Sequence, residues 1–163
     1  MLGDYVQYGL LIALAIALVF AAFTDLKRRQ IDNWLNAAIA LAAPVYWIAA
    51  GLSVWPDMAI QLGVALAAFA VLAGLFALRM MGGGDVKLLT AVALWIEPVI
   101  FLQLLLIMAL AGGFLTIGFG AWHIMRRQRD RIAVPYGVAI AIGGLWVLGT
   151  HYLPMAGNAV AAG

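Results

Sequence analysis

From Tyr5 to Thr24 the chain carries no charged residue. As a helix, such a run is long enough to cross the ~30 Å hydrocarbon layer of a bilayer, which takes about 20 residues. Comparable runs follow at Trp34–Gly51, Ile60–Leu78, Phe101–Trp122 and Pro135–Leu153, with a shorter one at Val86–Ile96. A soluble fold of this size has no core large enough to bury them all. Composition agrees: 67% of the 163 residues are hydrophobic and 10% are charged, against roughly 25% charged in soluble domains. The runs lack the period-2 alternation of barrel strands. The expectation is therefore an all-α integral membrane protein, one polytopic domain over residues 1–163, with about six transmembrane helices. No Lys or Arg precedes the first run, which argues against a cleavable signal. The chain has no cysteine, so disulfides, thiolate zinc sites and thiol redox chemistry are excluded.

The basic residues set an orientation. Lys27, Arg28 and Arg29 follow the first run, Arg79 and Lys87 lie around the third gap, and Arg126, Arg127, Arg129 and Arg131 follow the fifth. With six alternating spans all nine fall on one side, while Asp4, Asp57 and Glu97 fall on the other. The positive-inside rule then predicts both termini outside and the three basic loops in the cytoplasm. The arginine-rich loop reads as this topology signal and not as a nucleic-acid contact. Val86–Ile96 would cover only about 16 Å as a helix, so either it begins within the preceding glycines or it lies partly sunk among its neighbours.

Those glycines belong to "MMGGGDVKLL", residues 80–89, where Asp85 stands in surroundings that make a charge expensive. Asp25 closes the first run. The predicted topology brings both to similar depth on the same face. Two carboxylates that approach each other cannot both ionise, so they share a proton and can act as acid and base together. Gly82, Gly83 and Gly84 have no side chains and let a backbone come close to Asp85. A position at a helix N-terminus would favour the charge there. Each feature also has a plainer meaning: an acid ending a span is often a solvated cap, and a glycine run is usually a turn. Lys87, two residues from Asp85, points away from it on a helix. His123 and His151 fall on opposite sides, and no acids show ligand spacing, so neither a metal nor another cofactor is expected.

Three segments carry a resemblance. "GGGD", Gly82 to Asp85, fits the GxGD motif of membrane aspartic peptidases. "TDLKRRQIDNWLN" resembles the first-aspartate segment of type IV prepilin peptidases, and "VPYGVAIAIGG" is similar to the opening of their last helix. The order matches the family, and the compact length looks most like the short prepilin peptidases of Flp (Tad) pilus systems; archaeal preflagellin peptidases are close relatives. The resemblance implies Asp25 and Asp85 as catalytic pair, with Gly82 and Gly84 as motif support. It places Lys87, Asn33, Pro135 and Tyr136 as candidates for substrate contact or positioning. The implied partner is the N-terminal leader segment of a prepilin, cut at the cytoplasmic face of the inner membrane. Where the family has proline, this chain has Asp32, which is expected to cap the second helix. Larger relatives carry a cytoplasmic insertion that methylates the product; here only "LKRRQI" separates the first two runs, so no methyltransferase function is expected. Two other readings stand beside this one: a proton-coupled carrier, since membrane carboxylates also relay protons, and a non-enzymatic pilus or secretion assembly factor. Oligomeric state is not legible.

Overall fold

The computed structural model describes residues 2–125 and 136–153, the side chains of 2 and 119–125 excepted. The described residues form six α-helices: α1 (Leu2–Arg28), α2 (Asn33–Ala49), α3 (Ala59–Ala77), α4 (Gly83–Ala93), α5 (Pro98–Met125) and α6 (Tyr136–Val147). A wide turn over Val54–Met58 leads into α3, and α6 runs on through a similar turn, Leu148–Tyr152. There is no strand among the described residues. The basic loop Arg126–Arg131 and Pro135 lie outside them.

Local sequence explains the boundaries. Gly82, in extended conformation, precedes α4, so the fourth helix begins within the glycines. Pro98 opens α5, where a missing N–H costs nothing. Helix α2 is closed by Gly51, whose φ of 70° allows the N–H of Gly51 to reach the Ile48 carbonyl and that of Leu52 the Trp47 carbonyl. The same paired closure ends α3, with Arg79 N–H to Phe76 and Met80 N–H to Leu75. Here Arg79 takes the left-handed conformation (φ 59°), a place glycine normally fills, at a cost of roughly 1–2 kcal/mol.

Packing is organised around the two short helices. Helix α6 touches α1, α4 and α5, and α4 touches α2, α3 and α6. Most of α4 is buried, from Val86 through Leu88, Leu89 and Val92. Two glycines let α6 nestle. A Cβ on Gly143 would stand 2.8 Å from the Leu104 carbonyl oxygen of α5, and one on Gly144 would stand 2.6 Å from Leu18 Cδ1 of α1. Small residues at such crossings are how helices without a hydrophobic drive between them pack closely. The outer helices turn large apolar side chains outward, among them Ile16, Leu66, Val71, Leu102 and Leu110. Among the described residues, three segments are long and apolar enough to cross a membrane: Gly3–Arg28, Val54–Ala77 and Pro98–Gly118.

The far end of α4 stops deep among its neighbours, where its last carbonyls would lack partners. Side chains supply them. Trp47 Nε1 donates to the Leu94 carbonyl at 2.7 Å. Gln61 Nε2 donates to Ala93 at 2.8 Å and Ile96 at 2.6 Å. Trp95 in turn donates to the Ile39 carbonyl at 2.9 Å and stacks on Tyr46 with ring centroids 5.1 Å apart. The start of α4, which carries Asp85, is thus set by an anchored helix.

Candidate active site

Asp25 sits in the last turn of α1 and is 7% exposed. Past Arg28 the chain reverses at Arg29 (φ 53°), whose N–H closes on the Asp25 carbonyl at 2.8 Å. The Asp25 carboxylate meets the N-terminus of α6: the Gly137 N–H donates to its Oδ2 at 2.8 Å. This N–H has no partner inside its own helix, and the end of a helix favours an anion. Glycine is needed here, because a Cβ on residue 137 would lie 2.8 Å from Asp25 Oδ2 and 3.0 Å from its Cγ.

Asp85 lies in the first turn of α4, ahead of the apolar run Val86–Ile96. Its carboxylate folds back over Gly82, where a Cβ would stand 2.8 Å from Oδ2, and accepts a backbone hydrogen bond from Gly82. Gly84 faces Ile31, with a Cβ position only 3.3 Å from the Ile31 Cβ. The glycines therefore serve close approach, by the Asp85 side chain itself and by the α1–α2 loop. Burial pushes the Asp85 carboxyl up to about 6, with the neighbouring Asp25 charge adding to it and the Gly82 bond opposing. Both carboxylates open on one cavity of about 370 Å³, shared with Arg29, Asp32, Asn33 and Gly82–Gly84. A groove of about 400 Å³ along α1, from Tyr8 to Val19, contains no acid and offers no such chemistry.

Of the other candidates, Asn33 and Gly84 line the cavity, while Lys87 and Tyr136 do not. Lys87 Nζ instead donates to Asn33 Oδ1 at 2.8 Å, tying α4 to α2. Tyr136 lays its ring against Gly112 of α5. One expectation is corrected. Asp32 occupies the N-cap position of α2, but its side chain makes no capping bond. It pairs with Arg28 at 2.7 Å, because a cation four residues back, brought round by the turn at Arg29, outcompetes a neutral N–H for the carboxylate. Sequence reasoning missed Gly137; the signal was a glycine just after Pro135 and Tyr136, where a helix start leaves N–H groups free. No group of three or more potential metal ligands occurs among the described residues.

The arrangement places an acid that readily holds a proton beside a second carboxylate, in a polar cavity at the ends of apolar helices. The family model for type IV leader peptidases matches residues 12–117. The chain belongs to the type IV leader peptidase family. Comparisons with curated proteins and with solved structures found no match. As a type IV leader peptidase the protein is a protease of membrane type. The matched stretch begins within α1 and ends within α5, so it contains both aspartates and the glycines of this leader peptidase but stops short of Gly137.

Proposed function

We propose that this chain is an aspartic endopeptidase of the inner membrane that removes the N-terminal leader of prepilin-like substrates at the cytoplasmic face, with Asp25 and Asp85 as the catalytic pair. The observation that carries the reading is the shared polar cavity of the two carboxylates. Asp25, held by the Gly137 N–H, is the base that takes a proton from water. Asp85, biased toward its protonated form, gives its proton to the carbonyl oxygen as the hydroxide forms its bond to carbon. Collapse of the tetrahedral intermediate breaks the C–N bond; Asp25 returns the proton to the leaving amine and Asp85 recovers its own from the intermediate's hydroxyl. The proton count belongs to the pair as a unit. Gly82 and Gly84 leave the room this needs.

Six spans, with both termini outside and the basic loops in the cytoplasm, fit the distribution of Lys and Arg. In that frame the substrate's apolar helix lies in the bilayer and its leader reaches the cavity. An Flp-type pilin precursor is the favoured substrate, processed without N-methylation. The test incubates the purified protein in nanodiscs with such a precursor and follows leader removal and any methyl addition by mass spectrometry. Asp25→Asn and Asp85→Asn should each abolish cleavage while remaining folded, and the double variant should be little worse, since cooperating groups fail together. Substantial turnover by either single variant would overturn the two-aspartate mechanism.

A further inference from the structure

Asn36 lies one turn beyond Asn33 on α2 and is 5% exposed. Neither its Nδ2 nor its Oδ1 has a hydrogen-bond partner, and it is the only such side chain among the described residues. The other buried polar side chains are bonded: Thr24 to Ala21, Asp25 to Gly137, Gln61 to Ala93 and Ile96. An unpaired amide inside apolar packing is costly, whereas an apolar side chain of similar shape is not. Asn36 also lines a groove of about 320 Å³ between α2 and α4, walled by Ala40, Phe69 and Thr90. Asn33 borders both this groove and the carboxylate cavity, and the Lys87–Asn33 bond stands where they join. Both α2 and α4 begin at the cavity, so the groove leads away from the carboxylates between their first turns.

A carboxamide presents one donor and one acceptor side by side. Its complement is the C=O and N–H that one residue of an extended chain presents along the same edge. A peptide bond inside a helix has both groups engaged, and a chain opened for hydrolysis at a membrane loses those bonds where lipid offers none. We infer that Asn36 is a positioning residue that pairs with the main chain of the apolar substrate segment lying in the α2–α4 groove, next to the bond to be cut. The pairing requires the buried Asn36 amide to turn from the wall of the groove toward its interior. The inference rests on the peptidase reading for its substrate class, and it makes the opened stretch, not a particular side chain, the feature that Asn36 recognises.

Two measurements test it. In the first, a fluorescent peptide comprising a prepilin leader and its apolar segment is titrated onto the Asp25→Asn protein in nanodiscs, with and without Asn36→Leu. In the second, KM and kcat for the same peptide are compared between the otherwise unaltered protein and its Asn36→Leu and Asn36→Gln variants. Asn36→Leu should weaken binding and raise KM by about tenfold, as expected for one lost hydrogen-bonded pair. It should leave kcat and its pH profile in place, with a thermal midpoint equal or higher, and Asn36→Gln should recover part of the affinity. Unchanged binding and KM, no binding by the parent protein, or a loss that tracks lost stability would overturn the inference. Binding that depends on Asn36 without cleavage by the unaltered protein would instead sink the peptidase reading alone.

Discussion

The backbone N–H of Gly137 donates to the Asp25 carboxylate at 2.8 Å across 112 positions of sequence. Helices α1 and α6 are joined at this point by an approach too close for a Cβ on residue 137 unless Asp25 shifts. Gly137→Ala should therefore push Asp25 out of register with Asp85. Misplacement of a reacting group by about 1 Å costs on the order of 100-fold, and kcat should fall at least that far while the helical circular-dichroism signal persists. Retention of full turnover would show that this contact does not position the carboxylate.

Activity should also depend on pH with a definite sign. The Asp85 carboxyl rises from 3.8 to about 6, so the folded protein resists its ionisation more than the unfolded chain does. The stability linked to this group is fully present below 3.8, is lost as pH rises toward about 6 and is flat beyond. Asp85→Asn should remove that slope in thermal-melt titrations. With Asp85 as proton donor, cleavage by the unaltered protein should decline on the alkaline side with an apparent pKa of about 6, read from kcat/KM against pH.

Asp32 should matter little. Its ion pair with Arg28 is solvent-accessible, and such pairs contribute about 0–1 kcal/mol. Asp32→Asn should keep most of the activity and shift the thermal midpoint slightly. A well-folded but inactive Asp32→Asn protein would place this acid in the chemistry.

The opposite holds at the far end of α4. Gln61→Leu leaves the Ala93 and Ile96 carbonyls without their side-chain partner, at about 1–3 kcal/mol for each orphaned group. Thermal unfolding in detergent should report a marked loss. Cleavage per folded molecule should stay near that of the unaltered protein, since Gln61 is remote from the carboxylate cavity.

How legible the molecule was depended on what carried each feature. Asp25 and Asp85 stood out because a charge among apolar residues demands a reason, and the apolar runs located all six helices to within a few residues. The start of α4 at Gly83 was one of two open options. Gly137 was not found, since the group that matters there is a main-chain N–H and every residue but proline has one. Asp32 was placed at the right position and given the wrong partner: local propensity speaks for the cap, while Arg28 reaches it only through the particular turn that ends α1. The anchoring of α4 by Trp47 and Gln61 was likewise hidden, because it joins residues far apart in sequence whose apolar neighbours look alike.

Helix α6 lies among three of the helices made before it. Membrane helices are made in order, yet α6 is the element against which α1, α4 and α5 pack. A ribosome that has delivered the first five helices has therefore made a protein in which Leu18 and Leu104 still await the glycines of α6. Asp25 is synthesised early but gains its Gly137 contact only once α6 has been made. A chain halted before α6 would carry both acids without the main-chain N–H that holds the first of them.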